Sequence, residues 1–378
     1  MTSDEQVYLI ALTLIKGVGN VLARQLIQFF GGAKAVFTEK KRMLENVPGI
    51  GEYTASKIKE SEYEALKRAE LEIPFIEKNK IIIYSILDEQ YPIRLSECQD
   101  APVVFYYRGN ADLHASHILS IVGTRSATEY GRYLTESLIK DLSETLPGVL
   151  IVSGLAYGID ICAHRNALKH GLKTVGVLAH GLDRIYPALH RNTAAEMIRQ
   201  GGLLTDFMSG TNPDRENFLQ RNRLIAGLAD ATIVVESAEK GGALVTADIA
   251  FSYGRDVYAF PGRVADKYST GCNRLIQMNK AGLIHSAHDL VLALCWDVKP
   301  VNPKPEQTKI PFEEKSDHPV LSLLAENKEL QINDLSTILN LPIHQLSPML
   351  FELEMKGYIK ALPGGVYKMN EELKYINN

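Results

Sequence analysis

The chain has 378 residues, enough for two or three domains, and 46% apolar with 23% charged residues is the composition of a globular protein with a sizeable core. A net charge of −4 excludes a generally basic nucleic-acid binder, so any polyanion site has to be local. Residues 101–300 hold 20 Lys and Arg, 13 of them Arg, against 19 acidic groups, while the last 78 hold 8 Lys, no Arg and 11 acidic groups; arginine suits bidentate phosphate contact, so the middle of the chain is the expected anion site.

Residues 1–70 read as a helical domain of helix–hairpin–helix or SAM-like type. Ile15–Gly19 and Val47–Gly51 are glycine turns, each followed by an amphipathic helix (Asn20–Phe30 and Glu52–Lys67). Such turns let backbone N–H groups approach a DNA phosphate. Glu52, Glu60 and Glu62 crowd the second turn and favour a structural role. Residues 71–115 read as a connecting extension with short strands at Ile81–Tyr84 and Val103–Tyr107.

From Ile118 the pattern changes to buried strands alternating with helices. The strands are Ile118–Val122, Val149–Val152, Thr174–Leu178, Leu203–Asp206, Ala231–Glu236, Val257–Phe260 and Leu283–His285. Helices fall between them at Glu129–Leu142, Ile159–His170, His190–Gln200, Glu216–Leu228, Ala243–Tyr253 and Gly271–Lys280. This predicts an α/β, Rossmann-like, doubly wound and mainly parallel sheet over 71–297. Residues 298–317 are rich in proline and charge and read as a linker. Residues 318–378 read as three helices and a hairpin, the order of a winged helix.

Ligands of open α/β sheets sit beyond the C-terminal strand ends, where helix N-termini present free N–H groups. Four glycine loops are expected there: Gly123–Thr128, Ser153–Asp160, His180–Pro187 and Lys240–Thr246. Arg125, Arg184, Arg221 and Arg223 lie near them, and make the rim a polyanion site. Neither Gly-x-Gly-x-x-Gly in the first loop nor a Walker A motif is present, so neither NAD nor a P-loop nucleotide is expected. The widely spaced Cys98, Cys162, Cys272 and Cys295 suggest reduced thiols rather than a zinc site or a disulfide framework. No metal or cofactor is expected. The acidic N-terminus lacks a signal-peptide pattern and no 18-residue apolar run occurs, so a cytoplasmic chain without a membrane span is expected.

The stretch from about Ile121 to Ile284 resembles the DprA/Smf family of DNA-processing proteins. The motifs are Gly-Thr-Arg-Ser-Ala-Thr (123–128), Ser-Gly-Leu-Ala-Tyr-Gly-Ile-Asp (153–160) with Ala163-His164, and Gly-Leu-Asp-Arg-Ile-Tyr-Pro (181–187). Arg-Asn-Arg-Leu-Ile-Ala-Gly-Leu (221–228), Gly-Gly-Ala-Leu-Val-Thr-Ala (241–247) and Pro261-Gly with Gly-Cys-Asn-Arg-Leu-Ile (271–276) complete the set. The resemblance implies a non-enzymatic homodimer that binds and shields single-stranded DNA and helps load the recombinase RecA during natural transformation, with single-strand-binding protein a further partner. Carried over by motif, Gly123, Thr124, Arg125, Thr128, Gly154, Gly241 and Gly242 would grip phosphate, and Arg184 would add a second cation. Arg215, Phe218, Arg221 and Arg223 would line the same groove, with Phe218 free to stack on a base. The loop Tyr186-Pro-Ala-Leu-His190 departs from the common Tyr-Pro-x-x-Asn.

Other readings of single residues remain. Arg223 also suits a salt bridge to Asp206 or Asp230, Phe218 a core position, His164 and His180 packing or internal hydrogen bonding, and Asp160 a role in capping or orienting its loop. Among whole-chain alternatives, the sheet is similar to lysine-decarboxylase-like nucleotide phosphoribohydrolases, but the loop Glu239–Thr246 lacks their proline, second loop glycine and catalytic glutamate, with Asp248 following instead. A ligand-sensing transcription factor is disfavoured by Glu352 and Glu354 on the third helix of the tail, which favour a protein contact there.

Overall fold

The structure, a computed structural model, describes residues 3–296, 318–327 and 329–370. The chain forms two compact units, Met1–Asn302 and Pro303–Asn378. The segment read as a linker, 298–317, lies outside the described residues.

The first unit begins with α1 (Ser3–Thr13), α2 (Asn20–Phe30), α3 (Ala33–Thr38), α4 (Lys41–Leu44) and α5 (Glu52–Lys78). Residues 71–78 do not connect to strands but complete α5, which runs through Pro74. Gly17 and Gly49 turn the two hairpins with φ of 91° and 84°, a region costly for residues bearing a Cβ. The core of these helices includes Val103, Val104, Tyr106 and Met208, so the helices and the sheet share one apolar interior. A polar clamp closes the same seam. Glu72, buried on α5, accepts from Ser209 N (2.8 Å) and Ser209 Oγ (2.6 Å), while Arg68 donates to Ser209 O (2.6 Å).

Next come β1 (Ile82–Ser85), α6 (Ile93–Ser96), β2 (Val104–Gly109), β3 (Ile118–Val122), α7 (Glu129–Thr145), β4 (Leu150–Gly154), α8 (Ile159–Lys169) and β5 (Thr174–Val177). A short 3-10 turn at Ala188–His190 leads into α9 (Arg191–Gln200) and β6 (Gly202–Thr205). The unit continues with α10 (Arg215–Leu228), β7 (Ala231–Val234), α11 (Gly242–Ser252), β8 (Asp256–Ala259), α12 (Thr270–Gln277), β9 (Gly282–Leu283) and α13 (Ala287–Ala293). The nine strands form one sheet in the order β1-β2-β6-β5-β4-β3-β7-β8-β9.

From β6 to β9 every neighbouring pair is parallel; β2 and β1 extend one edge by two antiparallel pairings. The mainly parallel, Rossmann-like sheet expected from the sequence is present, and the extension strands belong to it rather than standing apart. Strands β3 to β7 are buried along their whole length, which explains their unbroken apolar runs. Leu224, Ile225 and Leu228 of α10 are fully covered against this sheet, and each such burial stabilises by about 1.5–3 kcal/mol. The buried hydroxyls of Ser120 and Ser153 donate to Ile225 O (2.5 Å) and Ile121 O (2.6 Å), which offsets their desolvation.

The second unit contains α14 (Pro319–Glu326), β10 (Leu330–Gln331), α15 (Ile332–Leu339), α16 (Ile343–Met355), β11 (Ile359–Leu362) and β12 (Val366–Met369). It is a winged helix with its own core of Val320, Leu324, Leu335, Leu346, Leu350, Leu353 and Ile359. No helix among the described residues is long and apolar enough to cross a membrane.

Candidate functional site

The chain winds outward from β3 in both directions, so the strand order reverses between β3 and β7. The loops leaving these two strands diverge and open a crevice, the usual ligand position in such sheets. A cavity of about 920 Å3 lies there, walled by the β3–α7, β4–α8 and β7–α11 loops and by α10.

Among the described lining residues, five are cationic (Arg125, Arg215, Arg221, Lys240 and Lys267) and one, Asp160, carries a carboxylate. The cavity is therefore locally basic in a chain of net charge −4. Phe218 lines it beside two of these cations. The Arg125 guanidinium lies 5.1 Å from the Phe218 ring centroid and that of Arg221 lies 5.8 Å away. The negative ring face holds both cations near the cavity. Arg215, Phe218, Asn222 and Ile225 all face it because they recur at helical spacing on α10.

Arg221 is only 4% exposed. Its Nη1 donates to Val177 O (2.5 Å), and its buried Nε has no partner among the described residues. Burial, partly offset by Asp160, pulls its guanidinium down to about 10. Burial likewise raises the Asp160 carboxyl, against the pull of Arg221. Both buried charges are thus incompletely compensated, and an anion bound beside Arg221 would relieve the cation.

The glycines shape this wall. A Cβ on Gly154 would lie 2.3 Å from Arg221 Nη1 and 2.5 Å from Asp160 Oδ2, so no larger residue fits. Gly158, at φ 79°, lets the β4–α8 loop lie against the carbonyls of Thr124 and Arg125. Gly123 packs against Ile159 and also lines the cavity. Gly241 and Gly242 start α11 at the cavity edge, where the first helical N–H groups lack intrahelical acceptors.

Not every expected residue meets here. Thr128 is engaged elsewhere: its hydroxyl donates to buried Glu236 (2.5 Å) and accepts from Gly131 N (3.1 Å), capping α7. Arg184 pairs with Asp183 (2.9 Å) and donates to Asn212 Oδ1 (2.7 Å), outside the cavity lining. Arg223 is buried against Asp206, to which it donates, and also donates to Asp100 O (2.5 Å). Burial lowers its guanidinium, but Asp206 and Asp100 outweigh it and hold the group above its usual value. Thr124 lines the cavity, tied by its N–H to Glu236 O (2.8 Å).

The site also contains Lys240, which heads the fourth expected glycine loop, and Ser237, Lys267 and Tyr268, which the sequence does not mark. Lys240 carries the same signal as Arg125, a cation beside a strand-end glycine loop. Lys267 and Tyr268 carry no such signal. They arrive because the chain after β8 folds back, with Ser237 N donating to Tyr268 O (2.7 Å).

His164 supports the wall from beneath, its ring nitrogens 2.7 Å from Gly154 O and 2.7 Å from Thr174 Oγ1. Burial pulls its pKa down to about 4. The unfolded chain then binds the extra proton first as pH falls below about 6.5, so stability present above that pH is lost toward pH 4. Between pH 7 and pH 5 the loss from this group is about 2 kcal/mol. Urea unfolding should show that excess loss in the wild type relative to His164→Gln; parallel pH profiles would contradict it.

The family model described as DNA recombination-mediator protein A matches residues 80–294, and that described as DprA winged helix domain matches residues 303–365. The chain is 40% identical over 215 residues to the DNA processing protein DprA of Streptococcus pneumoniae, covering 57% of this chain and 75% of the relative. It is 35% identical over 302 residues to Protein Smf of Synechocystis, covering 78% and 74%. Among solved structures, the S. pneumoniae DNA processing protein A superposes with a TM-score of 0.64 at 32% identity, over 77% of this chain and 98% of that one. DNA processing protein A from Helicobacter pylori, described for its single-stranded DNA binding mode, gives 0.52 at 29% identity, over 58% and 97%.

Proposed function

Because the chain belongs to the DNA recombination-mediator protein A (DprA/Smf) family, we propose that its crevice between β3 and β7 binds single-stranded DNA. The observation that carries this reading is the locally basic cavity lined by Phe218, with the buried Arg221 Nε lacking an acceptor among the described residues. A flexible phosphodiester supplies anions for Arg125, Arg215, Arg221, Lys240 and Lys267, and its bases find a stacking surface on Phe218. Sequence-tolerant binding follows, since every base has a π face. The free N–H groups of α11 add a further phosphate contact. The described neighbour from H. pylori is a protein characterised for single-strand binding, which supports the same assignment.

On this reading the protein is a mediator rather than an enzyme: it shields the strand as a homodimer in the cytoplasm and hands it to RecA. The hydrolase alternative gains no support from the site. Asp248 does not line the cavity and pairs with Lys280 (2.6 Å). The test is fluorescence anisotropy of a labelled oligo-dT against the matching duplex over a salt series. Tight binding of the single strand that falls with salt is expected, with a slope of about −0.7 per phosphate neutralised. Equal affinity for the duplex, or release of free base from a nucleoside monophosphate, would overturn the assignment.

The winged helix plays a different part. Its third helix exposes Phe351 and Met355 beside Glu352 and Glu354, a surface suited to a protein and not to a phosphate backbone. Residues 318–370, which have their own core, are expected to show no measurable retention of duplex DNA in a gel-shift assay at physiological salt. A shifted band would reverse that expectation.

A further inference from the structure

Two exposed tyrosines stand outside the cavity lining, one on the β4–α8 loop that walls it and one on the neighbouring β5–α9 loop. Tyr157 lies in the β4–α8 loop between Ala156, a lining residue, and Gly158, which touches the β3–α7 loop. Its ring meets the buried His190 ring edge-on, with centroids 5.1 Å apart, and it remains 45% exposed. His190 is itself held by Nδ1 at 2.9 Å from Leu155 O, so the support beneath Tyr157 is rigid. Tyr186 lies in the β5–α9 loop, its ring centroid 6.0 Å from that of Phe218, and it too is 45% exposed. Large rings held by ring contacts yet open to solvent, one beside Phe218 and one next to the lining residue Ala156, are poor candidates for core packing. They are what successive unstacked bases require.

We infer that Tyr186 and Tyr157 are base-stacking platforms that carry a single strand out of the cavity, past Phe218 and across the β5–α9 loop. This rests on the single-strand reading of the cavity and extends it to a second, purely aromatic subsite. The same loop contributes a cation, Arg184, oriented by Asp183 and Asn212. The division of labour is then physical: the cavity supplies charge, and the rim supplies stacking. Bases on the rim contribute affinity that depends on strand length and hardly on salt.

The experiment uses the full chain and labelled oligo-dT from about 4 to about 20 nucleotides, spanning the usual footprint of such sites. The variants are Tyr157→Ala, Tyr186→Ala and both Tyr→Phe replacements. Each alanine variant is expected to lose roughly tenfold in affinity for long strands, with little change for the shortest and an unaltered salt slope. Tyr→Phe is expected to restore binding, because the ring and not the hydroxyl stacks. Unfolding midpoints measured alongside separate misfolding from lost stacking. If the wild type binds and folded alanine variants match it at every length, or lose equally at all lengths, the rim platforms are wrong and the cavity assignment stands. If the wild type binds no single strand at all, both fall together.

Discussion

Arg125→Ala is expected to weaken single-strand binding by about tenfold to a hundredfold at moderate salt, the range of one charge-assisted hydrogen bond. Arg125 is exposed, lies 5.1 Å from the Phe218 ring centroid and lines the cavity, so its loss removes a phosphate contact and one of the two cations beside the ring. Two further readouts separate this from general damage. The log–log salt slope should shrink by about 0.7, one phosphate fewer neutralised. Folding stability should change by no more than about 0.5 kcal/mol, since an exposed side chain outside any ion pair among the described residues contributes little. Arg125→Lys should fall between, because it keeps the charge but loses the planar, bidentate guanidinium beside Phe218. Anisotropy titrations at three salt concentrations decide the matter; unchanged affinity would remove Arg125 from the interface.

Arg223→Ala is expected to do the opposite: destabilise by about 3–5 kcal/mol while leaving the affinity of the folded fraction intact. The buried guanidinium pairs with Asp206 and donates to Asp100 O, and Asp100 in turn accepts from Tyr253 Oη (2.5 Å). Removing the cation strands the Asp206 carboxylate, whose Oδ1 already has no partner among the described residues. A loss of that size is a large part of the 5–15 kcal/mol that holds a typical domain together. The double variant Arg223→Met with Asp206→Leu should regain much of it, because neither charge is then left alone. Urea unfolding measures the stability, and titration of the soluble double variant measures the binding. A stable Arg223→Ala that fails to bind would put Arg223 in the DNA contact.

These two arginines mark the limit of what the sequence discloses. Arg221 and Arg223 sit two positions apart in one motif and look equivalent there. On a helix, two positions amount to about 200° of rotation, so both cannot face one cavity. Periodicity alone therefore divides them, but which one faces the cavity depends on how α10 docks. Thr128 offers a second case. Its loop position and hydroxyl suit a phosphate, yet Glu236 at the end of a neighbouring strand takes that hydroxyl, and Glu236 is 108 residues away in the chain.

By itself the sequence determined the parallel sheet and the winged helix, because the apolar runs and the amphipathic helices are local patterns that burial imposes directly. It also determined the loops that reach the strand ends, since glycine-rich turns between strand and helix are local too. Only the tertiary structure decided that β2 pairs antiparallel with β6 and that Lys267 and Tyr268 return to the cavity. It also decided that Arg223 points to Asp206 rather than to the crevice. Each of these depends on partners distant in sequence, whose pairing follows from shape and charge in three dimensions and leaves no trace in local spacing.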